Sequence, residues 1–321
     1  MAFDKIPPVE NAKVIIATAF TLGNKGAGEE RSTTKARDRQ NKSKDIELAK
    51  IKNIARSFDR QLKHILSNFP SLDSMTEFYR QLLHELLDYA ELKQALGAIN
   101  WALQQVRKQT LKAQKMIKGA QSLVDISKHR REFVGRSASY IEQISGSLTV
   151  LEAARNEFRK WPSLKDMPTI ALIGFPNVGK STLLAKLTSA KPKIANYAFT
   201  TLGINVGYLK VRYKRVQVLD TPGTLNRYEK MNRVEKIAYL AQRYVADVII
   251  YVIDPTESYS LEDQKILLEN TKRLRKPIFI YISKTDVARE EDVKAAKAVS
   301  KEYYTDISKL QAVAVDDLLK K

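Results

Sequence analysis

The chain has 321 residues and no cysteine, which excludes disulfides, thiolate metal sites and cysteine nucleophiles, and we expect a cytoplasmic location. Its 55 lysines and arginines exceed its 36 aspartates and glutamates, and the net charge of +19 favours a polyanionic partner, RNA before DNA. No apolar run reaches the roughly 20 residues that span a bilayer, so we expect no membrane partner.

The N-terminal half, residues 1–165, has the periodicity of an all-α helical-bundle domain. Apolar side chains recur at helical spacing between residues 44 and 160, as at Ile51, Ile54 and Phe58, where a strand would alternate. Residues 21–44 are instead rich in glycine, polar and basic side chains, with too little apolar surface to form a core. We therefore predict long antiparallel helices and a mobile basic loop near 21–44.

The C-terminal half, residues 166–321, has the alternating pattern of an α/β domain. Two prolines between Trp161 and Pro168 interrupt helix formation and place the predicted boundary there. Short apolar runs then alternate with helical patterns, which predicts a mainly parallel sheet with helices on both faces. The four predicted strands are Thr169–Ile173, Val216–Leu219, Val248–Ile253 and Ile278–Ile282.

The segment Gly174-Phe-Pro-Asn-Val-Gly-Lys-Ser181 matches the phosphate-loop pattern between a predicted strand and a predicted helix. Its glycines let backbone amides turn toward phosphate oxygens, Lys180 supplies a positive charge, and Ser181 offers a hydroxyl to magnesium. A plain glycine turn is the alternative, which the complete pattern in this setting disfavours. The predicted contacts to GTP or GDP in this segment are Asn177, Val178, Gly179, Lys180, Ser181 and Thr182.

Two further polar segments follow predicted strands. In Asp220-Thr-Pro-Gly223, the carboxylate is suited to hold Mg2+ through water and the Gly223 amide to contact the γ-phosphate. In Ser283-Lys-Thr-Asp286, Asp286 is suited to accept two hydrogen bonds from guanine while Lys284 lies along the base. Ordinary turns are the alternative for both. A weaker candidate is the segment with Ser308 and Lys309, as the source of a backbone amide near the guanine carbonyl.

These motifs resemble the Obg-related translation-factor GTPases, and within them the nucleolar GTP-binding protein family in its short archaeal form. The similarity extends to Asp254-Pro-Thr-Glu-Ser-Tyr-Ser-Leu-Glu-Asp-Gln264, to Phe3-Asp-Lys-Ile-Pro-Pro-Val and to the segment from Ser67 to Tyr79. The resemblance implies an α/β P-loop GTPase domain after the helical domain, in a GTPase that helps mature the large ribosomal subunit. Its implied partners are large-subunit rRNA or a pre-ribosomal particle, and ribosome assembly proteins.

The resemblance also implies residue roles. Thr201 matches the switch threonine that completes the magnesium shell. The expected metal ligands are therefore Ser181, Thr201 and Asp220. The expected catalytic residues are Lys180, Thr201 and Gly223. Ser283 stands where the family has asparagine, which removes a side-chain amide that braces the base and the loop. Residue 224 is Thr rather than the glutamine that orients water in Ras-like enzymes, so we expect slow intrinsic hydrolysis. Asn177 resembles the residue that holds K+ in cation-dependent relatives, although it equally suits a tight loop.

Basic residues outside the nucleotide motifs indicate where RNA would bind. Residues 93–124 contain no acidic side chain, and Lys108, Lys112, Lys115 and Lys118 share one helical face opposite an apolar one. A solvated lysine face is the plain alternative. Lys128–Arg136 and the predicted loop from Arg31 to Lys44 are further candidates. Trp101 and Trp161 are either base-stacking residues or, as helix-borne aromatics usually are, core residues.

Two functions from different classes fit this sequence. The first is a magnesium-dependent GTPase that works as a timing switch in ribosome assembly. The second is a basic RNA-binding scaffold whose nucleotide pocket, weakened at Ser283, is mainly structural. A membrane-surface GTPase fits poorly, because the basic segments lack interleaved large apolar residues. GTP turnover with and without large-subunit RNA separates the first two.

Overall fold

The computed structural model describes residues 3–35, 38–188, 204–211, 214–222, 231–256 and 259–320. Its contacts divide the chain into two compact units. One contains Ala2–Ser74 and Leu83–Arg159, and the other contains Met75–Leu82 and Lys160–Lys321. In the part of the chain described, no helix has the length and apolar character needed to cross a bilayer.

The first unit is an antiparallel helical bundle, as predicted. Its helices begin at polar caps that satisfy the free amides of the first turn, such as Asn11, Asp38, Asp88 and Ser122. The predicted apolar positions of the second helix, including Ile54 and Phe58, are fully buried. The helices of the N-terminal half are α1 (Ala12–Thr33), α2 (Arg39–Asn68), α3 (Glu77–Leu86), α4 (Tyr89–Gly119), α5 (Leu123–Gln143) and α6 (Ser145–Phe158).

The prediction of a mobile basic loop over 21–44 is wrong. Helix α1 continues to Thr33 and α2 begins at Arg39, so residues 21–33 and 39–44 of the predicted loop are helical. The glycines that suggested a loop are contact points instead: a Cβ on Gly23 or Gly26 would overlap side chains of α2. Their missing side chains let α1 pack closely on α2, and this packing offsets the helix-weakening effect of glycine.

The second unit contains a five-stranded sheet in the order β2-β3-β1-β4-β5, and the predicted mainly parallel sheet is confirmed. The strands are β1 (Thr169–Ile173), β2 (Asn205–Val211), β3 (Lys214–Asp220), β4 (Val248–Ile253) and β5 (Ile278–Ile282). Among the strands that the structure describes, only β2 and β3 pair antiparallel, and β2 is the strand that the sequence reading missed. The helices are α7 (Lys180–Leu187), α8 (Arg233–Tyr244), α9 (Leu261–Lys272), α10 (Glu290–Lys297) and α11 (Ile307–Leu319).

Strand register brings the carboxyl ends of β1, β3, β4 and β5 to one edge of the sheet. Leu172 lies beside Asp220, Ile173 beside Tyr251, and Ile253 beside Ile282. The strand order reverses at β1, because β3 lies on one side of it and β4 on the other. Open α/β sheets form a crevice for ligands at such a point. The three polar motifs found in the sequence therefore converge at this crevice.

The segment Met75–Leu82 packs within the second unit through Tyr79. The Tyr79 hydroxyl accepts a hydrogen bond from the Leu164 amide at 2.8 Å and donates to the Pro162 carbonyl at 2.9 Å. Its ring is parallel to that of Trp161, with centroids 6.2 Å apart. Trp161 is only 4% exposed, so of its two interpretations the core one holds.

Candidate nucleotide-binding site

The phosphate loop connects β1 to α7 through three residues with positive φ. Gly174 has φ 157° and Gly179 has φ 96°, and Asn177 between them has φ 63°. A Cβ on Gly174 would lie 2.6 Å from the Val252 carbonyl oxygen, so no other residue fits at that point. These turns direct successive backbone amides toward a common space at the N-terminus of α7, an arrangement that binds anions.

Lys180, at the start of α7, extends over this loop. Its Nζ donates to the carbonyl oxygens of Gly174, at 3.0 Å, and Phe175, at 2.6 Å. The residue is 8% exposed, and burial lowers the pKa of the Lys180 ammonium below its ordinary value. The ammonium is therefore held where a phosphate would enter the loop, with a desolvation cost that an anion would offset.

Ser181 and Asp220 form the expected pair of magnesium-holding groups. The Ser181 hydroxyl donates to Asp220 Oδ2 at 2.5 Å, and Asn205 Nδ2 donates to the same oxygen at 3.2 Å. Hydroxyl and carboxylate oxygens are the ligand types that magnesium prefers, so these residues fit the ion. Thr201 and Gly223, which complete the expected catalytic and metal sets, lie outside the described residues.

The strand end that carries Asp220 is anchored from beneath. The Thr221 hydroxyl donates to the Leu172 carbonyl oxygen at 2.9 Å and accepts a hydrogen bond from Gln242 Nε2 at 2.8 Å. Both Thr221 and Gln242 are buried. These two hydrogen bonds connect β1 and α8 to the residue that follows Asp220, so they restrain the end of β3 that carries the carboxylate.

Ser283 contacts the phosphate loop although it lacks the amide found in the family. Its hydroxyl lies 2.8 Å from the Val178 carbonyl oxygen and 3.1 Å from the Ile253 carbonyl oxygen. One hydroxyl has a single proton, so it makes one full hydrogen bond to these two acceptors at a time. The side-chain amide is lost, as expected, but a connection between the base motif and the loop is kept.

Asp254 is a residue of this site to which the sequence reading assigned no role. It is 1% exposed at the end of β4, and its Oδ2 lies 2.6 Å from Lys284 Nζ. Its Oδ1 accepts hydrogen bonds from the Thr256 amide, at 2.9 Å, and the Thr256 hydroxyl, at 2.7 Å. Gln264 pairs with its backbone through both side-chain groups, at 2.9 and 2.8 Å. The sequence signal that could have identified Asp254 as a site residue is its position directly after a buried strand.

The remaining predicted residues flank the base motif. Asp286 is exposed two residues beyond Lys284, and Thr182 is exposed in the first turn of α7. Ser308 and Lys309 lie in the first turn of α11. Just before this helix, the Tyr304 amide donates to the Ile280 carbonyl of β5 at 2.8 Å, and the Tyr304 carbonyl accepts from the Ile282 amide at 2.9 Å. The Lys309 amide already donates to the Asp306 carboxylate at 2.8 Å, so that amide serves as a helix cap.

The sheet order, the phosphate loop and the base motif together define a P-loop GTPase domain. In agreement, the family profile described as "50S ribosome-binding GTPase" matches residues 169–284, and the "NOG1 N-terminal helical domain" profile matches residues 3–165. The chain belongs to the nucleolar GTP-binding protein family, and it is a GTP-binding protein. The fold predicted from the sequence is thereby confirmed in both halves.

Several known proteins are similar to this chain. A protein of Methanocaldococcus jannaschii is 37% identical over 91% of this chain and 83% of its own length. Nucleolar GTP-binding protein 1 of Drosophila melanogaster is 34% identical over 76% of this chain, a region that makes up 38% of the fly protein. The Era structure with MgGDPNP and a 16S ribosomal RNA segment is 28% identical, covering 47% of this chain and 56% of Era with a TM-score of 0.36.

Proposed function

We propose that this protein is a magnesium-dependent GTPase that acts as a slow molecular switch in the assembly of the large ribosomal subunit. The observation that carries the proposal is the convergence of three groups at one sheet edge. The phosphate loop, the Ser181–Asp220 pair and the base motif at Ser283 and Lys284 all lie there. Membership in a family with a ribosome-binding profile supplies the biological context.

The reaction is the hydrolysis of GTP to GDP and phosphate, in which water attacks the γ-phosphorus and the bond to the β-phosphate oxygen breaks. The loop amides bind the phosphate oxygens, and the Lys180 ammonium offsets their negative charge. Ser181 and Asp220 would hold magnesium, which when bound would neutralise charge that develops on the phosphates. Thr201 and Gly223 serve in this proposal as the contacts that sense the γ-phosphate.

Specificity for guanine follows from the base motif in this proposal. Asp286 accepts hydrogen bonds from the two guanine nitrogens that adenine does not present in that arrangement, while Lys284 lies along the base. Ser308 and Lys309 supply the backbone near the guanine carbonyl, in the turn where Asp306 caps α11. We therefore expect GTP and GDP to bind and ATP to be rejected.

Slow turnover follows from the residue that stands after the Asp220 motif. Residue 224 is Thr, so the chain lacks the side-chain amide that orients water in Ras-like enzymes. In this proposal Asn177 would hold a potassium ion, whose charge would take the part that an arginine finger plays in other P-loop enzymes. Asn177 is exposed and has φ 63°.

The RNA-binding part of the proposal rests on α4. Lys108, Lys112, Lys115 and Lys118 are all exposed, and the opposite face, with Val106, Ala113 and Ile117, is buried, as the sequence pattern predicted. Basic residues on one solvent-facing stripe bind phosphates and release counterions. Large-subunit rRNA or a pre-ribosomal particle, with ribosome assembly proteins, is the proposed partner, and a cytoplasmic location is part of the same proposal.

The test measures GTP hydrolysis by the purified protein with and without large-subunit RNA, with ATP as the nucleotide control. We expect slow magnesium-dependent turnover that RNA changes, no ATP turnover, and loss of activity in Lys180→Ala. RNA binding without turnover or measurable GTP affinity would instead support the scaffold function. Lys186→Ala serves as the matched control and should keep its activity, because it makes the same change at an exposed lysine in the last turn of the same helix.

A further inference from the structure

Trp101 lies on the surface of α4. It is 41% exposed, whereas Trp161, the other tryptophan of the chain, is 4% exposed. The Trp101 ring contacts Tyr140 of α5 edge-on, with centroids 5.8 Å apart and planes at 84°. The ring is thus held in one orientation by an aromatic neighbour while a large part of its surface is in water, which costs apolar hydration energy.

The surface beside this ring is open. Gly97 lies one helical turn before Trp101, and a Cβ added there would meet no atom within 4 Å. The helix surface one turn before the indole therefore carries no side chain at Gly97 that would cover the ring. Within the described part of the chain, the Trp101 side chain has no hydrogen bond, so its packing on Tyr140 is what orients it.

The same face of α4 carries positive charge. At 100° per residue, Lys108, Lys112 and Lys115 lie within about 40° of Trp101 around the helix axis, and Lys108 is about 10 Å further along it. Lys112 pairs with Glu132 at 2.8 Å, and Arg136 lies 3.4 Å from the same carboxylate. Lys108 and Lys115 form no ion pair with any described residue, so their charges are available to a ligand.

We propose that this face, defined by Trp101, Tyr140, Lys108 and Lys115, binds single-stranded RNA, with one unpaired base stacked on Trp101 and neighbouring phosphates on the two lysines. The proposal rests on the RNA association proposed above, and it adds that the bound RNA is single-stranded and which residues bind it. An exposed aromatic ring beside cations is the combination that binds single strands, because every base has a face for stacking. A duplex conceals those faces and offers only phosphates and groove edges.

The test uses tryptophan emission from the full chain. In Trp161→Phe, Trp101 is the only tryptophan, so quenching of its emission reports stacking directly. We expect saturable quenching by a twelve-residue oligoadenylate and none by a duplex of the same length. If Trp161→Phe fails to fold, the difference between wild-type and Trp101→Phe emission gives the same information.

Affinities of variants separate stacking from charge. Trp101→Leu is expected to weaken oligoadenylate binding about tenfold, and Trp101→Phe, which keeps a ring, less than threefold. Lys108→Gln with Lys115→Gln should lower the slope of log affinity against log salt by about 1.4. Leu22→Ala is the matched control, because Leu22 is 42% exposed in the same unit and should have no effect.

The outcomes distinguish this inference from the proposed function. RNA binding that is unchanged in Trp101→Leu, or equally tight for duplex and single strand, would overturn the stacking site and leave RNA association intact. Absence of binding to single strands, duplexes and large-subunit RNA at low salt would overturn both. Helical circular dichroism and thermal unfolding of each variant are measured in parallel, and unchanged values show that the helical unit is folded.

Discussion

The ion pair between Asp254 and Lys284 gives the sharpest prediction about nucleotide binding. In the wild type, Asp254 Oδ1 accepts hydrogen bonds from the Thr256 amide at 2.9 Å and the Thr256 hydroxyl at 2.7 Å. Replacing Asp254 by Asn keeps an oxygen that can accept both hydrogen bonds. It removes the negative charge 2.6 Å from Lys284 Nζ. The change therefore tests whether this carboxylate positions Lys284 along the guanine base.

The expected magnitude follows from the burial of the pair. Asp254 has a side chain that is 1% exposed, while that of Lys284 is 33% exposed, so the released ammonium can turn to water. Loss of one hydrogen bond between charged groups costs about 2 kcal/mol, which corresponds to roughly 30-fold weaker binding. Because the pair acts at the base end of the site, the affinities for GTP and for GDP should fall by the same factor.

The assay is calorimetric titration with both nucleotides, together with turnover at saturating GTP. We expect the dissociation constants to rise and kcat to stay within about twofold, a split that distinguishes positioning of the base from catalysis. Thr256→Val is the control, because it removes the hydroxyl that donates to Asp254 and keeps both the carboxylate and its ion pair with Lys284. It should weaken nucleotide binding less than Asp254→Asn does.

A double-mutant cycle with Lys284→Met completes the test. If the two side chains act as one unit, the double variant will bind nucleotide about as weakly as the weaker single variant. Additive losses would show that Asp254 and Lys284 contribute independently. Unchanged affinity in a folded Asp254→Asn protein, checked by urea unfolding, would refute the positioning role of the carboxylate.

Three further predictions concern the loop, the ion and the basic face. Ser283→Ala should weaken GTP and GDP binding about five- to tenfold in titrations, because it removes the hydroxyl 2.8 Å from the Val178 carbonyl oxygen, and equal affinity would show that this contact is dispensable. Potassium should accelerate GTP hydrolysis over sodium at equal ionic strength, and Asn177→Ala should abolish the difference without preventing GTP binding; identical rates in both salts would exclude the ion. Changing Lys108, Lys112 and Lys115 to Glu should weaken RNA binding at least tenfold in a filter or fluorescence assay and preserve GTP binding. Unchanged RNA affinity would identify these lysines as a solvated face.

Local patterns determined the parts of the fold that depend on neighbouring residues in the chain. Strands β1, β4 and β5 have the predicted bounds because each is a nearly continuous apolar run that ends at a polar residue or a glycine. The phosphate loop was recognisable for a similar reason, since its glycines, Lys180 and Ser181 act through their spacing. Strand β2 was missed because asparagine, glycine and lysine interrupt its apolar residues, so it contains no apolar run that would indicate a strand.

Contacts between distant segments decided the rest. The glycine-rich end of α1 looked like a loop because its stabilising partner, α2, supplies the packing only after the chain folds back. Asp254 and Lys284 are 30 residues apart, and only the parallel register of β4 and β5 brings them together. Trp101 and Trp161 both suit a core by composition, yet one is exposed and one buried. Burial is a property of the packed molecule, because it depends on which surfaces meet and not on the residue itself.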